Sequence, residues 1–99
     1  MSFSIRYQKR ALAEYENAVQ WYREHSERAA NNFEIAVNEK IDILRSEPDR
    51  YKKAYKQFHT VALRKYPYSI VYAINEQDYS VIISSIFHHK RNPRGKYKS

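Results

Sequence analysis

Cysteine is absent from all 99 residues. This excludes a disulfide framework, a thiolate nucleophile and any thiolate metal site, and it fits the expectation of a cytoplasmic protein. Glycine occurs once, at Gly95, so no glycine-rich loop is available to cradle a phosphate. No apolar run approaches the roughly 20 residues that span a bilayer. The opening MSFSIRYQKR has no apolar stretch of the kind that marks a signal peptide. Acidic residues are scarce in one half only. Residues 1–49 hold seven Lys/Arg and nine Asp/Glu, net −2, whereas residues 50–99 hold eleven and two, net +9. Such asymmetry points to an acidic or polyanionic partner on the second half. The length fits one domain over 1–99, with a basic tail at 92–99.

What the chain does have is periodicity. Phe3, Ile5 and Tyr7 alternate with Ser2, Ser4 and Arg6, the pattern of a short edge strand. Over 9–25 the period changes: Ala11, Tyr15, Ala18 and Tyr22 fall at helical spacing, and Leu12 and Val19 widen the stripe. Glu14, Glu16, Gln20, Arg23 and Glu24 are assigned to the opposite, exposed side, and Trp21 to its flank. Ser26 is a good N-cap for a second helix, with Glu27 in its first turn. Ala30, Phe33, Val37, Ile41 and Leu44 form its apolar stripe, and Pro48 ends it. Two amphipathic helices with almost no loop between them make a hairpin that must lie on a sheet.

That sheet is written in 59–91. Val61 and Leu63, then Ile70, Tyr72 and Ile74, then Val81, Ile83 and Phe87 alternate with other residues at period two. Tyr66-Pro67 and residues 75–78 break the runs, as antiparallel neighbours require. The third run places Val81, Ile83 and Phe87 on one face and Ile82 and Ile86 on the other, so it reads as an interior strand covered on both sides. Residues 50–58 read as a loop entering a second edge strand. The expectation is an α+β fold of order β-α-α-β-β-β-β, with the first strand and the helical hairpin packed on a small antiparallel sheet.

Chemistry is sparse. Adjacent His88 and His89 point to opposite faces of a strand and cannot easily chelate one ion, so no metal site and no cofactor are expected. The acids sit on helix faces and suggest no carboxylate pair. What remains is basic and aromatic: Lys52, Lys53, Tyr55, Lys56, Arg64, Lys65, His88, His89, Lys90, Arg91, Arg94 and Tyr97. One use of such a set is metal-free RNA cleavage, with cations on the phosphate and His or Tyr moving protons; the other is a solvated positive face. His88 reads as a packed histidine, with proton transfer as the alternative. Arg91, close behind a buried strand, suits bidentate binding of a carboxylate or phosphate.

Three segments carry a family resemblance. Residues 36–48, AVNEKIDILRSEP, look like a second helix closing in Leu-x-x-x-Pro. Residues 66–72, YPYSIVY, and 86–93, IFHHKRNP, look like a family hairpin and a closing hydrophobic-His-x-x-Arg-Asn-Pro. Together they resemble the ParE/RelE toxin superfamily of bacterial type II toxin–antitoxin systems, and the long hairpin and the ending are similar to ParE-like plasmid-stabilisation toxins. The resemblance implies a toxin that inhibits DNA gyrase and so DNA replication, neutralised by a cognate acidic antitoxin in a hetero-oligomer, with no membrane partner. It implies target contacts at His88, Lys90, Arg91, Arg94 and Lys96 and antitoxin contacts at Trp21, Tyr22 and Arg64. RelE-like relatives instead cleave messenger RNA on the ribosome, which would give Arg64, His88, Arg91 and Tyr97 catalytic roles; here Ser69 stands where those nucleases carry an arginine. An inactive relative that only binds antitoxin is the third alternative.

Overall fold

The computed structural model describes residues 2–91 and 95–97. Its elements are β1 (Ser4–Tyr7), α1 (Lys9–Arg23), α2 (Glu27–Ser46), β2 (Lys53–Tyr55), β3 (Phe58–Ala62), β4 (Tyr68–Asn75) and β5 (Ser80–His88). The strands form one five-stranded sheet in the order β1-β5-β4-β3-β2. β2 to β5 are antiparallel neighbours, but β1 runs parallel to β5, pairing Ser4 with Ser80 through Tyr7 with Ile83. The sheet is therefore mixed and not wholly antiparallel. A period of two states that a segment is extended but carries no strand direction, and the returning β5 enters beside β1 in the same sense.

The helices form because each has one apolar stripe and one face of water-loving side chains. Ser26 caps α2 by accepting the Ala29 N–H at 2.9 Å. All five expected α2 positions are buried, with Phe33 at their centre. Tyr15, Tyr22, Tyr66 and Tyr68 surround its ring at centroid distances of 4.9 to 6.2 Å. On α1, Ala11, Ala18 and Val19 are buried, but Leu12 lies exposed instead of widening the stripe. The hairpin covers the sheet face formed by Val61, Leu63, Ile70, Tyr72, Val81, Ile83 and Ile86.

β5 departs from simple alternation. Tyr72 pairs with Ile83, yet Val71 pairs with Ser85, so Ser84 is an extra residue in a β-bulge. One inserted residue exchanges the faces of everything after it. Ile86 consequently joins Val81 and Ile83 under the helices, while Phe87 turns to the other face with Phe58 and Val71. This reverses the assignment of Ile86 and Phe87 drawn from strict alternation. Ser84 Oγ donates to the Val71 carbonyl at 3.2 Å inside the bulge. The second sheet face is closed by Tyr97, whose ring stacks on Tyr55 and Phe58 at 5.0 and 5.9 Å. Residues 95–97, within the expected basic tail, thus return to the sheet.

Candidate functional site at the basic end of β5

Beyond Tyr7 the β1 edge of β5 has no strand beside it among the described residues. The chain turns through Gln8, whose N–H meets the Ile83 carbonyl at 3.0 Å, and α1 then runs alongside. Glu14, between Ala11 and Ala18 on one side of α1, projects at that edge. Its Oε1 accepts the Ile86 N–H at 3.1 Å and the Ser85 hydroxyl at 2.8 Å. Its Oε2 faces Arg10 Nε at 3.4 Å and pairs with the Arg91 guanidinium. The Glu14 side chain is only 11% exposed. It was expected on the exposed side of α1. The spacing i, i+3, i+7 from Ala11 to Ala18 was the available signal that it belongs to the buried border.

The main chain after β5 is pinned as well. The His89 N–H reaches the Pro67 carbonyl at 2.8 Å, and the Arg91 N–H reaches the His88 carbonyl at 3.0 Å. The Lys90 N–H donates to His88 Nδ1 at 3.0 Å. His88 lies edge-on to Tyr68, and His89 Nε2 lies 2.8 Å from the Ser69 hydroxyl, so the two imidazoles do face opposite ways. Partial burial, then the charges of Arg91, His89 and Lys90, holds His88 below its ordinary pKa of 6.5. The Arg91 guanidinium carbon sits 5.5 Å from the Phe87 ring centre, a cation–π distance. Arg91 is thus held between a carboxylate and a ring, with 43% of its side chain still open to solvent.

Two other surfaces flank this end. A groove of about 1010 Å³ runs between α2 and the β3–β4 loop. Ile35, Ile43 and Leu63 give it apolar walls, and Lys40, Arg64 and Lys65 give it positive charge, against Glu39. Tyr22 sits behind it, ring against Tyr66 at 5.5 Å, while Trp21 is 53% exposed at the end of α1 against Tyr22 and His25. On the sheet face away from the helices, Lys56 and Lys96 lie 5.3 and 5.5 Å from the stacked rings of Tyr55 and Tyr97.

The structure therefore gathers His88, Lys90 and Arg91 at one strand end and sets Arg64 apart in the groove. Tyr97 and Lys96 lie on the far sheet face, next to Phe87. Arg94 and Lys98, together with Asn92 and Pro93, lie outside the described residues. Glu14 is the participant that sequence reasoning missed.

Residues 5–93 match the family described as the ParE toxin of type II toxin–antitoxin systems, parDE. No curated protein matches by sequence. Among solved structures, the chain resembles one in the chromosomal ParDE system of P. aeruginosa, with a TM-score of 0.73 and 14% identity over 88% of this chain and 96% of that one. It resembles the intact E. coli RelBE toxin–antitoxin complex with a TM-score of 0.53 and 17% identity, over 91% of this chain and all of that one. The isolated E. coli RelE toxin gives 0.56 and 14%, over 96% and 93%. At such identities these likenesses establish the fold.

Proposed function

We propose that this chain, a member of the ParE toxin family and hence a toxin of a type II toxin–antitoxin system, arrests growth by binding DNA gyrase through the basic end of β5. The observation that carries this reading is Arg91: a half-open guanidinium held on both sides, with Lys90 and His89 exposed beside it. A cation fixed in place loses little side-chain freedom on meeting an acidic surface, so more of its interaction survives as affinity. Lys96, and Arg94 by its place in the sequence, would extend the same contact. The location that suits such a target is the cytoplasm.

The cognate antitoxin would lay an acidic, partly apolar segment in the groove beside α2. Arg64 and Lys65 would meet its acids, and Ile35 and Leu63 its apolar side chains. Trp21, exposed at the hairpin end, and Tyr22 behind Tyr66 would border that contact.

The nuclease alternative has one observation in its favour, the Tyr55–Tyr97 stack with its two lysines, which offers a platform for unpaired bases. Pulse labelling just after induction separates the readings. Under the gyrase reading thymidine incorporation falls first and Arg91→Ala removes the effect. An early collapse of methionine incorporation with DNA synthesis intact would overturn that reading in favour of messenger-RNA cleavage. If neither falls, the chain is an antitoxin-binding relative.

A further inference from the structure

The two oxygens of Glu14 do different work. Oε1 serves the fold: it accepts the Ile86 N–H and the Ser85 hydroxyl where no strand is present to do so. Leaving that amide unpaired in a part-buried place would cost stability. Among the described residues, Oε2 accepts from no backbone group. It is turned to two guanidinium groups, those of Arg10 and Arg91. Without it, the ring of Phe87 would be the remaining contact of the long Arg91 side chain among the described residues. The bulge at Ser84 immediately precedes the Ser85 hydroxyl and the Ile86 N–H that this carboxylate takes up.

We propose that Glu14 is a positioning residue for Arg91: its Oε2 orients the guanidinium that the toxin presents to its target, and so determines the strength of growth arrest. This rests on the reading of Arg91 as the target contact. It adds a residue on α1, 77 positions away in sequence, to the machinery of the basic end.

Glu14→Gln separates the two jobs. The amide oxygen can take the place of Oε1 and still accept from Ile86 and Ser85. The amide NH₂ then faces the two guanidinium groups, and a donor cannot hold a donor. The variant should remain folded, its melting temperature within about 4 °C of the parent, a change of no more than about one weak interaction. Growth arrest on induction of the full chain should weaken at least about tenfold in surviving colonies, as expected when a binding group loses its orientation. In the unaltered protein, the Arg91 Nη1 protons should give a distinct NMR signal that exchanges slowly with water. In the Gln variant it should merge with the mobile arginines.

The outcomes are separable. If Arg91→Ala abolishes arrest while a folded Glu14→Gln remains as potent as the parent, the positioning role is overturned and the Arg91 contact stands. If Arg91→Ala is itself fully potent, the choice of surface fails. Should Glu14→Gln not fold, the NMR signal of the unaltered protein decides: an Arg91 signal averaged with the mobile arginines overturns the proposal.

Discussion

At the scale of single residues, two buried or half-buried groups carry consequences that can be measured. Tyr72 is fully buried, and its hydroxyl donates to the Pro48 carbonyl at 2.7 Å while its ring stacks on His59. Burial, followed by the nearby Tyr51 and Asp49, pushes its phenol well above the ordinary range, so it stays a donor. Tyr72→Phe keeps the ring and strands the carbonyl, and should cost about 1–2 kcal/mol in urea unfolding. His88 has the opposite kind of signature. Its folded pKa lies below 6.5, and Nδ1 must stay unprotonated to accept the Lys90 N–H. The unfolded chain therefore binds the proton more readily. Stability from this residue is complete above the ordinary pKa and is lost as pH falls from about 6.5 through the lowered folded value. Melting temperatures measured from pH 7.5 to 5 should fall less steeply in His88→Gln than in the parent.

At the scale of elements, α2 is the most self-sufficient piece. It has an N-cap, an acid in its first turn, Arg45 in its last and an unbroken buried stripe. Ser26→Ala removes the acceptor for the Ala29 N–H and should lower stability by about 1 kcal/mol, measured by chemical denaturation, without changing the fold. β5 is the contrary case. Its apolar run was legible, and so was its interior place, since it lies between β1 and β4. Its bulge was not assigned. The Ser84-Ser85 pair inside that run was the one signal, because two small polar residues in a buried strand need local partners. They find them in the Val71 carbonyl and in Glu14.

At the scale of the whole molecule, the charge division between halves becomes a division in space. The helical half, net −2, places one of its acids inward at Glu14, and the half with net +9 contributes β2 to β5, four of the five strands. An association driven by this field should be steered over distances near the Debye length, about 8 Å at physiological ionic strength. Raising salt from 0.05 to 0.5 M should slow the association rate with an acidic antitoxin segment several-fold while changing dissociation less, as stopped-flow fluorescence of Trp21 would record. Salt-independent association would mean that the groove binds through its apolar walls alone. Among the described residues, no helix is long and apolar enough to cross a membrane.

The sequence by itself determined the order of elements, the stripe of α2, its cap and stop, the interior character of β5 and the basic end that follows it. These are local properties: period, propensity and charge act within a few residues of each other. The three quoted segments also led to the family that residues 5–93 match. Only the tertiary structure decided the parallel pairing of β1 with β5, the exchange of Ile86 and Phe87 across the sheet, the return of Tyr97 and the placing of Glu14 against Arg91. Strand direction and register depend on partners far along the chain. A single extra residue at Ser84 reassigns faces that alternation would assign otherwise. The carboxylate that holds Arg91 comes from a helix whose pattern spoke only of its own two sides.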